Sequence, residues 1–229
     1  MKSSVIVFPG SNCDRDVAVA IEVTTGTKPE MVWHQSKKLP KCDIIIIPGG
    51  FSYGDHLRAG AIAAHSHIMN EIIKYANLGY PVLGICNGFQ ILTETGLLPG
   101  SLIRNKNLKF ICKYTYLRIE NISNLYTNNF NNYDIVSLPI AHSEGNFQCN
   151  KETLSKIENN GLVIFKYSDK CGKINHTSNP NGSLNNIAGL TNLKRNILGM
   201  MPHPERAIDD NLGGTDGTVF FKSILDSLS

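Results

Sequence analysis

PVLGICNGFQILTETGLL, residues 81–98, joins an apolar run to a helix-like pattern across a pair of glycines. Pro81 to Ile85 reads as a short buried strand. Asn87 to Thr95 reads as a helix with Phe89, Leu92 and Ile91 on its inner side, stopped at Gly96. Between them lies Gly84-Ile85-Cys86-Asn87-Gly88, the G-x-S-x-G pattern of a nucleophile elbow with cysteine in place of serine. A strand that turns sharply into a helix forces its central residue into a strained conformation and presents the side chain outward. Flanking glycines remove the Cβ atoms that would clash where strand and helix pack closely. The helix N-terminus places backbone N–H groups and partial positive charge beside the sulfur, which favours thiolate. A lone cysteine at a strand–helix junction is more often an inert buried residue. Two glycines at elbow spacing make Cys86 a candidate nucleophile instead.

Outward from this stretch, strands and helices alternate. Ser4 to Phe8 is a first strand, closed by Pro9-Gly10. Ser11-Asn12-Cys13-Asp14 offers N-caps to a helix carrying Val17, Ala20, Ile21 and Thr24, which ends near Gly26. Glu30 to Trp33 is a second strand. Asp43 to Ile47 holds a run of isoleucines, the pattern of a strand buried on both faces, and stops at Pro48-Gly49-Gly50-Phe51. Met69, Ile72, Ile73 and Ala76 mark the apolar side of a helix that ends at Gly79, and His65 and His67 belong to its start. The alternation predicts a doubly wound, mostly parallel, open α/β sheet of flavodoxin-like type. Ligands bind such sheets at the carboxyl ends of the strands, where Gly10, Gly50 and Cys86 all fall.

Beyond Asn105 the pattern changes. Leu108 to Glu120, Ile135 to Ala141, Leu162 to Tyr167 and Ile187 to Leu190 are strand candidates, with Asn181-Gly182 as a hairpin turn signal between the last two. They predict a smaller antiparallel part packed on the main sheet. Ile197 to Met201 returns as a buried strand, followed by His203-Pro204-Glu205-Arg206. A last helix bears Phe220, Phe221, Ile224, Leu225 and Leu228. The segments 126–134 and 175–186 match no motif and read as solvated loops.

At 229 residues and 41% hydrophobic, the chain supports one core and a single domain over 1–229. The net charge of +3 is small and spread out, so nucleic-acid binding is not indicated. No apolar run reaches the length of a membrane span, and Met1-Lys2-Ser3-Ser4 leads into a strand and not a signal peptide. The six cysteines, at 13, 42, 86, 112, 149 and 171, lack C-x-x-C spacing and point to a reducing, cytoplasmic compartment. The sequons at Asn121, Asn175 and Asn181 then reflect only asparagine content. No His, Cys, Asp or Glu cluster has metal-ligand spacing.

A cysteine nucleophile needs a base, and the base needs an orienting group. Seven histidines compete: 34, 56, 65, 67, 142, 176 and 203. Only His203 directly follows a buried strand with a carboxylate two residues on. In a non-helical loop Glu205 can lie on the same side and accept from the imidazole nitrogen turned away from Cys86, with Pro204 stiffening the link. For the oxyanion, the N–H of Asn87 is one donor, and the backbone at Gly49-Gly50 is the fitting second. The residues alone thus give a Cys-His-Glu site for acyl transfer or amide hydrolysis, without a substrate.

Gly84 to Gln90 together with Pro202-His203-Pro204-Glu205 resembles the triad-type, class I glutamine amidotransferases. Three further blocks narrow the resemblance: Phe8-Pro9-Gly10-Ser11-Asn12-Cys13-Asp14; Gly49-Gly50-Phe51-Ser52-Tyr53-Gly54-Asp55 with Leu57-Arg58-Ala59-Gly60-Ala61; and Cys86 to Gln90. These are similar to the branch that serves phosphoribosylformylglycinamidine synthases in purine biosynthesis. The similarity covers the whole chain, including Ala141-His142-Ser143-Glu144-Gly145 and Asp216-Gly217, with Ser143 where the family carries glycine. The resemblance implies Cys86 as nucleophile, His203 as base and then acid, and Glu205 as orienter. It implies Gly50 and Asn87 as the oxyanion hole, with Gln90 and Phe51 at the glutamine pocket. It also implies a large ATP-dependent synthase partner and a small third subunit.

No phosphate-binding G-x-x-x-x-G-K-[ST] loop is present, so no cofactor is expected on this chain, and ATP and Mg belong to the partner. Two other classes remain at this point. A stand-alone elbow-cysteine hydrolase or stress-protein relative would act alone on other amides. A flavodoxin-like scaffold would leave Cys86, His203 and Glu205 unassembled.

Overall fold

Strands too apolar to face water build one half of the sheet, and alternating strands build the other. The computed structural model describes residues 1–55 and 58–229, so His56 and Leu57 lie outside the described residues. The chain runs β1 (Ser3–Val7), α1 (Asp14–Thr25), β2 (Glu30–Trp33), β3 (Ile44–Ile47), α2 (Ala61–Ala64), α3 (His67–Asn77), β4 (Val82–Ile85) and α4 (Asn87–Glu94). It continues through β5 (Ser101–Ile103), β6 (Ile111–Ile119), β7 (Ile135–His142), β8 (Asn146–Gln148), α5 (Lys151–Asn159), β9 (Val163–Ser168), β10 (Ile187–Thr191), β11 (Ile197–Met200) and α6 (Asp216–Leu228). Short 3-10 turns lie at Ser52–Asp55, Leu184–Asn186, Pro204–Arg206 and Asp210–Leu212.

Nine strands form one sheet in the order β2-β1-β3-β4-β11-β10-β9-β6-β7. Pairing is parallel from β2 to β11 and antiparallel from β11 to β7. The expected α/β sheet is therefore present, with α1 against α6 and α2 against α4. The antiparallel strands differ from expectation in one respect: they extend the parallel half edge to edge and do not pack on its face. Among the described residues, only β5 and β8 form a separate two-stranded sheet. Alternation along β6 and β7 reports which faces are buried, and it carries no information about which edge the strands join.

Several local expectations also shift. Asn181-Gly182 is not a two-residue hairpin turn. β9 and β10 do pair antiparallel, but a long loop joins them. Asn181 is buried within that loop and donates to the Gly145 carbonyl at 2.8 Å. Cys13 is the N-cap of α1 and makes no side-chain capping hydrogen bond. β6 starts at Ile111, because Leu108 sits in a turn with φ 59°. The mostly polar α5 was not evident from periodicity; its Asn150 side chain accepts from Thr153 N at 2.8 Å. The 126–134 segment is tied down from within. Tyr126 is fully buried, its hydroxyl lying 2.9 Å from the Val82 carbonyl and 2.7 Å from that of Asn196.

The elbow closes with its helix pressed against β3. A Cβ on Gly88 would stand 2.0 Å from the Ile47 carbonyl oxygen, so α4 can approach β3 only without one. Cys86, between β4 and α4, takes φ 51° and ψ −104°, a conformation costing about 1–3 kcal/mol that the surrounding packing must offset.

Tyr126→Phe removes the hydroxyl and leaves buried carbonyls facing it. The expected loss is about 1–2 kcal/mol, seen as a thermal midpoint lower by roughly 2–8 °C; an unchanged midpoint would contradict the staple. Gly88→Ala meets backbone and not a yielding side chain. It is expected to cost at least about 1–3 kcal/mol, and a urea melting midpoint equal to the wild type's would refute the packing argument.

Candidate active site

Register places the two ends of the chemistry side by side. β11 runs parallel to β4 with Met200 opposite Ile85, and Cys86 N donates to the Met200 carbonyl at 2.7 Å. The residues leaving both strands therefore meet above the same sheet edge. His203 is fixed there by its own backbone, N–H donating to the Pro139 carbonyl at 2.8 Å. Its ring is buried, and Nδ1 lies 2.6 Å from Glu205 Oε1. Cys86 Sγ lies 3.7 Å from the Ala141 carbonyl. Gly49 lies between the two groups: a Cβ there would be 2.7 Å from His203 Cε1 and 3.3 Å from Cys86 Cβ. The structure thus brings the candidate nucleophile, base and orienter together.

Electrostatics sets the state of the base. Burial disfavours a charged imidazole, yet the Glu205 carboxylate and Cys86 outweigh it and hold the His203 pKa well above its ordinary value. That shift favours an imidazolium able to stabilise a thiolate and to give up a proton. His203 Nε2 and Glu205 Oε2 are buried without a hydrogen-bond partner. His142, the other buried histidine nearby, is held neutral. Burial, then the charge of His203, pushes its pKa down to about 3, and its Nδ1 lies 3.0 Å from Asn105 Oδ1. His34 is committed elsewhere, 2.6 Å from the Tyr53 hydroxyl.

Cys86 opens into a cavity of about 330 Å³ that is also lined by Gly50, Phe51 and Gln90. Gly50 has φ 123°, a region that disfavours side chains, and a Cβ there would lie 2.6 Å from Asn12 N. Asn87 opens α4, where a backbone N–H has no acceptor within the helix. Its side chain is a clamp: Oδ1 accepts from Ser52 N at 3.2 Å, and Nδ2 donates to Asp55 Oδ1 at 3.2 Å and Gln90 Oε1 at 2.8 Å. Gln90 in turn donates to the Glu144 carbonyl at 2.6 Å, so both ends of its amide brace the cavity wall. Phe51 is half exposed and stacks with Phe110 at 6.3 Å. Ser143 is part of the wall and leaves the His203–Glu205 pair untouched.

Three charged lining residues were not singled out from sequence: Asp55, Arg104 and Glu144. Arg104 Nε lies 3.7 Å from Glu144 Oε1, and Glu144 Oε2 accepts from Ala59 N at 3.2 Å. Burial, reinforced by Glu144 and opposed by the Asn87 bond, pushes Asp55 up to about 6. Asp55 and Glu144 stand in the quoted motif blocks, so their position was a usable signal; Arg104 carries none. Such a cavity, with both charge signs beside a cysteine–imidazole pair, suits a small zwitterion bearing an amide. A larger cavity of about 830 Å³, lined by Lys106, Lys166, His176 and the 182–186 segment, contains no cysteine.

Residues 1–212 match the family model described as the CobB/CobQ-like glutamine amidotransferase domain. The chain is 52% identical over 228 residues to the phosphoribosylformylglycinamidine synthase subunit PurQ of Trichormus variabilis, covering 100% of this chain and 98% of that one. It is 51% identical to the subunit of the same description from Pelagibacter ubique, with 100% of each chain covered. Among solved structures, PurLQS from Thermotoga maritima contains a chain 42% identical with a TM-score of 0.88, covering 100% of this chain and 99% of that one. More distant is a glutamine amidotransferase from the same organism, 14% identical with a TM-score of 0.64, which shares the fold. The chain belongs to the glutamine amidotransferase family and, within it, to the group of phosphoribosylformylglycinamidine synthase PurQ subunits.

Proposed function

We infer that this chain is the glutaminase subunit of a phosphoribosylformylglycinamidine synthase. It hydrolyses glutamine to glutamate and ammonia and hands the ammonia to a synthase subunit that makes formylglycinamidine ribonucleotide from formylglycinamide ribonucleotide. The full-length similarity to PurQ subunits carries this reading, and the cavity at Cys86 supplies its chemistry.

Glutamine enters with its carboxamide toward Cys86. The thiolate attacks the amide carbon, and the oxyanion settles between the N–H groups of Asn87 and Gly50. His203 gives its proton to the leaving nitrogen, and ammonia departs from a thioester on Cys86. The neutral imidazole then takes a proton from water, whose oxygen attacks the thioester carbon. Glutamate leaves, and the thiolate–imidazolium pair is restored. Glu205 holds the ring through Nδ1 throughout, at the 2.6 Å separation of the resting site. Phe51 forms the cavity mouth and Gln90 a wall, while Arg104 and the Asp55–Glu144 side offer partners to the α-carboxylate and α-ammonium of the substrate.

The acceptor chemistry belongs elsewhere. The chain carries no phosphate-binding glycine loop, so ATP and Mg are assigned to a large synthase subunit, with a small third subunit completing the assembly. The PurLQS structure of Thermotoga maritima supports that composition. Among the described residues no helix is long and apolar enough to cross a membrane. All six cysteines are unpaired, in keeping with a reducing cytoplasm.

In the assembled complex, Cys86→Ala is expected to abolish glutamine-dependent synthesis while sparing synthesis from added ammonium. Persistence of the glutamine-dependent rate would exclude this nucleophile. A pH dependence follows from Asp55, whose carboxyl is pushed from 3.8 up to about 6. As pH falls through about 6 it takes up a proton and loses its attraction for the substrate ammonium. KM for glutamine is expected to rise below pH 6 in the wild type, and Asp55→Asn to remove that dependence. The same acid rise in both proteins would contradict the assignment.

A further inference from the structure

Cys13 is a second buried cysteine at the catalytic pair, and the mechanism above does not use it. It is 2% exposed and unpaired. Its sulfur, a ring nitrogen of His203 and a carboxylate oxygen of Glu205 all lie within 4.8 Å of one another. This is the one group of metal-type ligands among the described residues, but a cation already faces the sulfur: Arg206 Nη2 stands 3.1 Å away. Arg206 Nε donates to Asp16 Oδ2 at 3.0 Å, so the guanidinium is held between a helix carboxylate and a thiol sulfur.

That placement matters because of what it avoids. Glu205 Oε2 is buried without a hydrogen-bond partner, and Arg206 is the next residue in the chain. A guanidinium free to turn would find that oxygen and form a strong charge-assisted bond. It would then compete with His203 for the same carboxylate and weaken the group that keeps the imidazole basic. The ring is held through Nδ1 by the 2.6 Å contact to Glu205, and the Cys13 and Cys86 sulfurs interact with it more weakly. The rest of its position comes from packing, with Gly49 on one side and Cys13 on another: a Cβ on Gly49 would sit 2.7 Å from His203 Cε1 and 3.4 Å from Cys13 Sγ.

We propose that Cys13 is a positioning residue of the glutaminase site, its sulfur packing the His203–Glu205 pair and, with Asp16, holding the Arg206 guanidinium off Glu205. A neutral thiol suits the task, and burial pushes the Cys13 thiol up. The sulfur fills space beside the ring and accepts from the guanidinium without adding a charge that would pull on the imidazole. The proposal rests on the reading of Cys86, His203 and Glu205 as the catalytic groups.

The test uses the assembled synthase with Cys13→Ala, Cys13→Ser and the double variant Cys13→Ala/Arg206→Gln, beside Cys86→Ala as reference. Ammonium-dependent synthesis reports folding and docking and is expected to stay at the wild-type level in all four. Cys13→Ala is expected to lower kcat for glutamine roughly ten- to a hundredfold, the scale of a small misplacement of a catalytic group. KM should stay within about twofold, because no substrate contact is removed. With Arg206 released onto Glu205, the imidazolium loses its proton more readily, so the alkaline limb of the kcat profile moves to lower pH. Cys13→Ser, which can still accept from Arg206, should recover part of the rate. The double variant should return the limb toward its wild-type position.

Wild-type kcat and pH limb in Cys13→Ala would overturn the proposal, as would a loss of rate with no movement of the limb, which is the mark of simple destabilisation. If Cys13→Ala fails to support ammonium-dependent synthesis, the decision passes to Cys13→Ser, where an unmoved limb and rate overturn it in the same way. Retained glutaminase in Cys86→Ala would instead remove the catalytic reading itself, which separates the two failures.

Discussion

The contact between α4 and β3 is the constraint on which the rest depends. Gly88 approaches the Ile47 carbonyl so closely that no Cβ fits between them. Cys86, two residues earlier at the same junction, stands at φ 51°. The strain is borne by an all-isoleucine strand and a helix whose inner face is wholly buried. In return the sulfur sits at a helix N-terminus, with an amide N–H at hand for an oxyanion. Relaxing the elbow would take the nucleophile and that donor out of place together.

The second requirement is the parallel register of β4 and β11. Because Met200 lies opposite Ile85, the residues leaving both strands emerge side by side. His203 and Glu205 then need only a short turn to form their pair, which the 3-10 turn Pro204–Arg206 provides. The site is thus assembled from strand ends at the middle of a sheet, the position where parallel α/β sheets place ligands. The antiparallel half contributes by closing the cavity: the end of β7 and the loop after it bring Ala141, His142 and Glu144 to its wall.

What could be read from the sequence is what depends on short-range pattern. The elbow, the isoleucine strand, the His203–Glu205 spacing and the glycine pair at 49–50 each carry their geometry in a few adjacent residues. What could not be read depends on long-range closure. Arg104 reaches the cavity only because β5 pairs with β8, and neither strand had a legible pattern. The Cys13–Arg206 contact joins residues almost two hundred positions apart. Tyr126 looked like part of a solvated loop because one buried anchor in a polar segment leaves no periodicity. The antiparallel strands were visible as strands, but their place at the sheet edge follows from topology and not from alternation.

The strained elbow makes Cys86, and no other cysteine, the group that attacks glutamine. The most direct measurement is peptide mapping by mass spectrometry after treatment of the assembled enzyme with one equivalent of an electrophilic glutamine analogue. A single adduct on Cys86 is expected, protected by excess glutamine, with Cys13 unmodified despite lying at the same catalytic pair. An adduct on Cys13 or on an exposed cysteine such as Cys112, or no adduct while glutaminase activity persists, would contradict it.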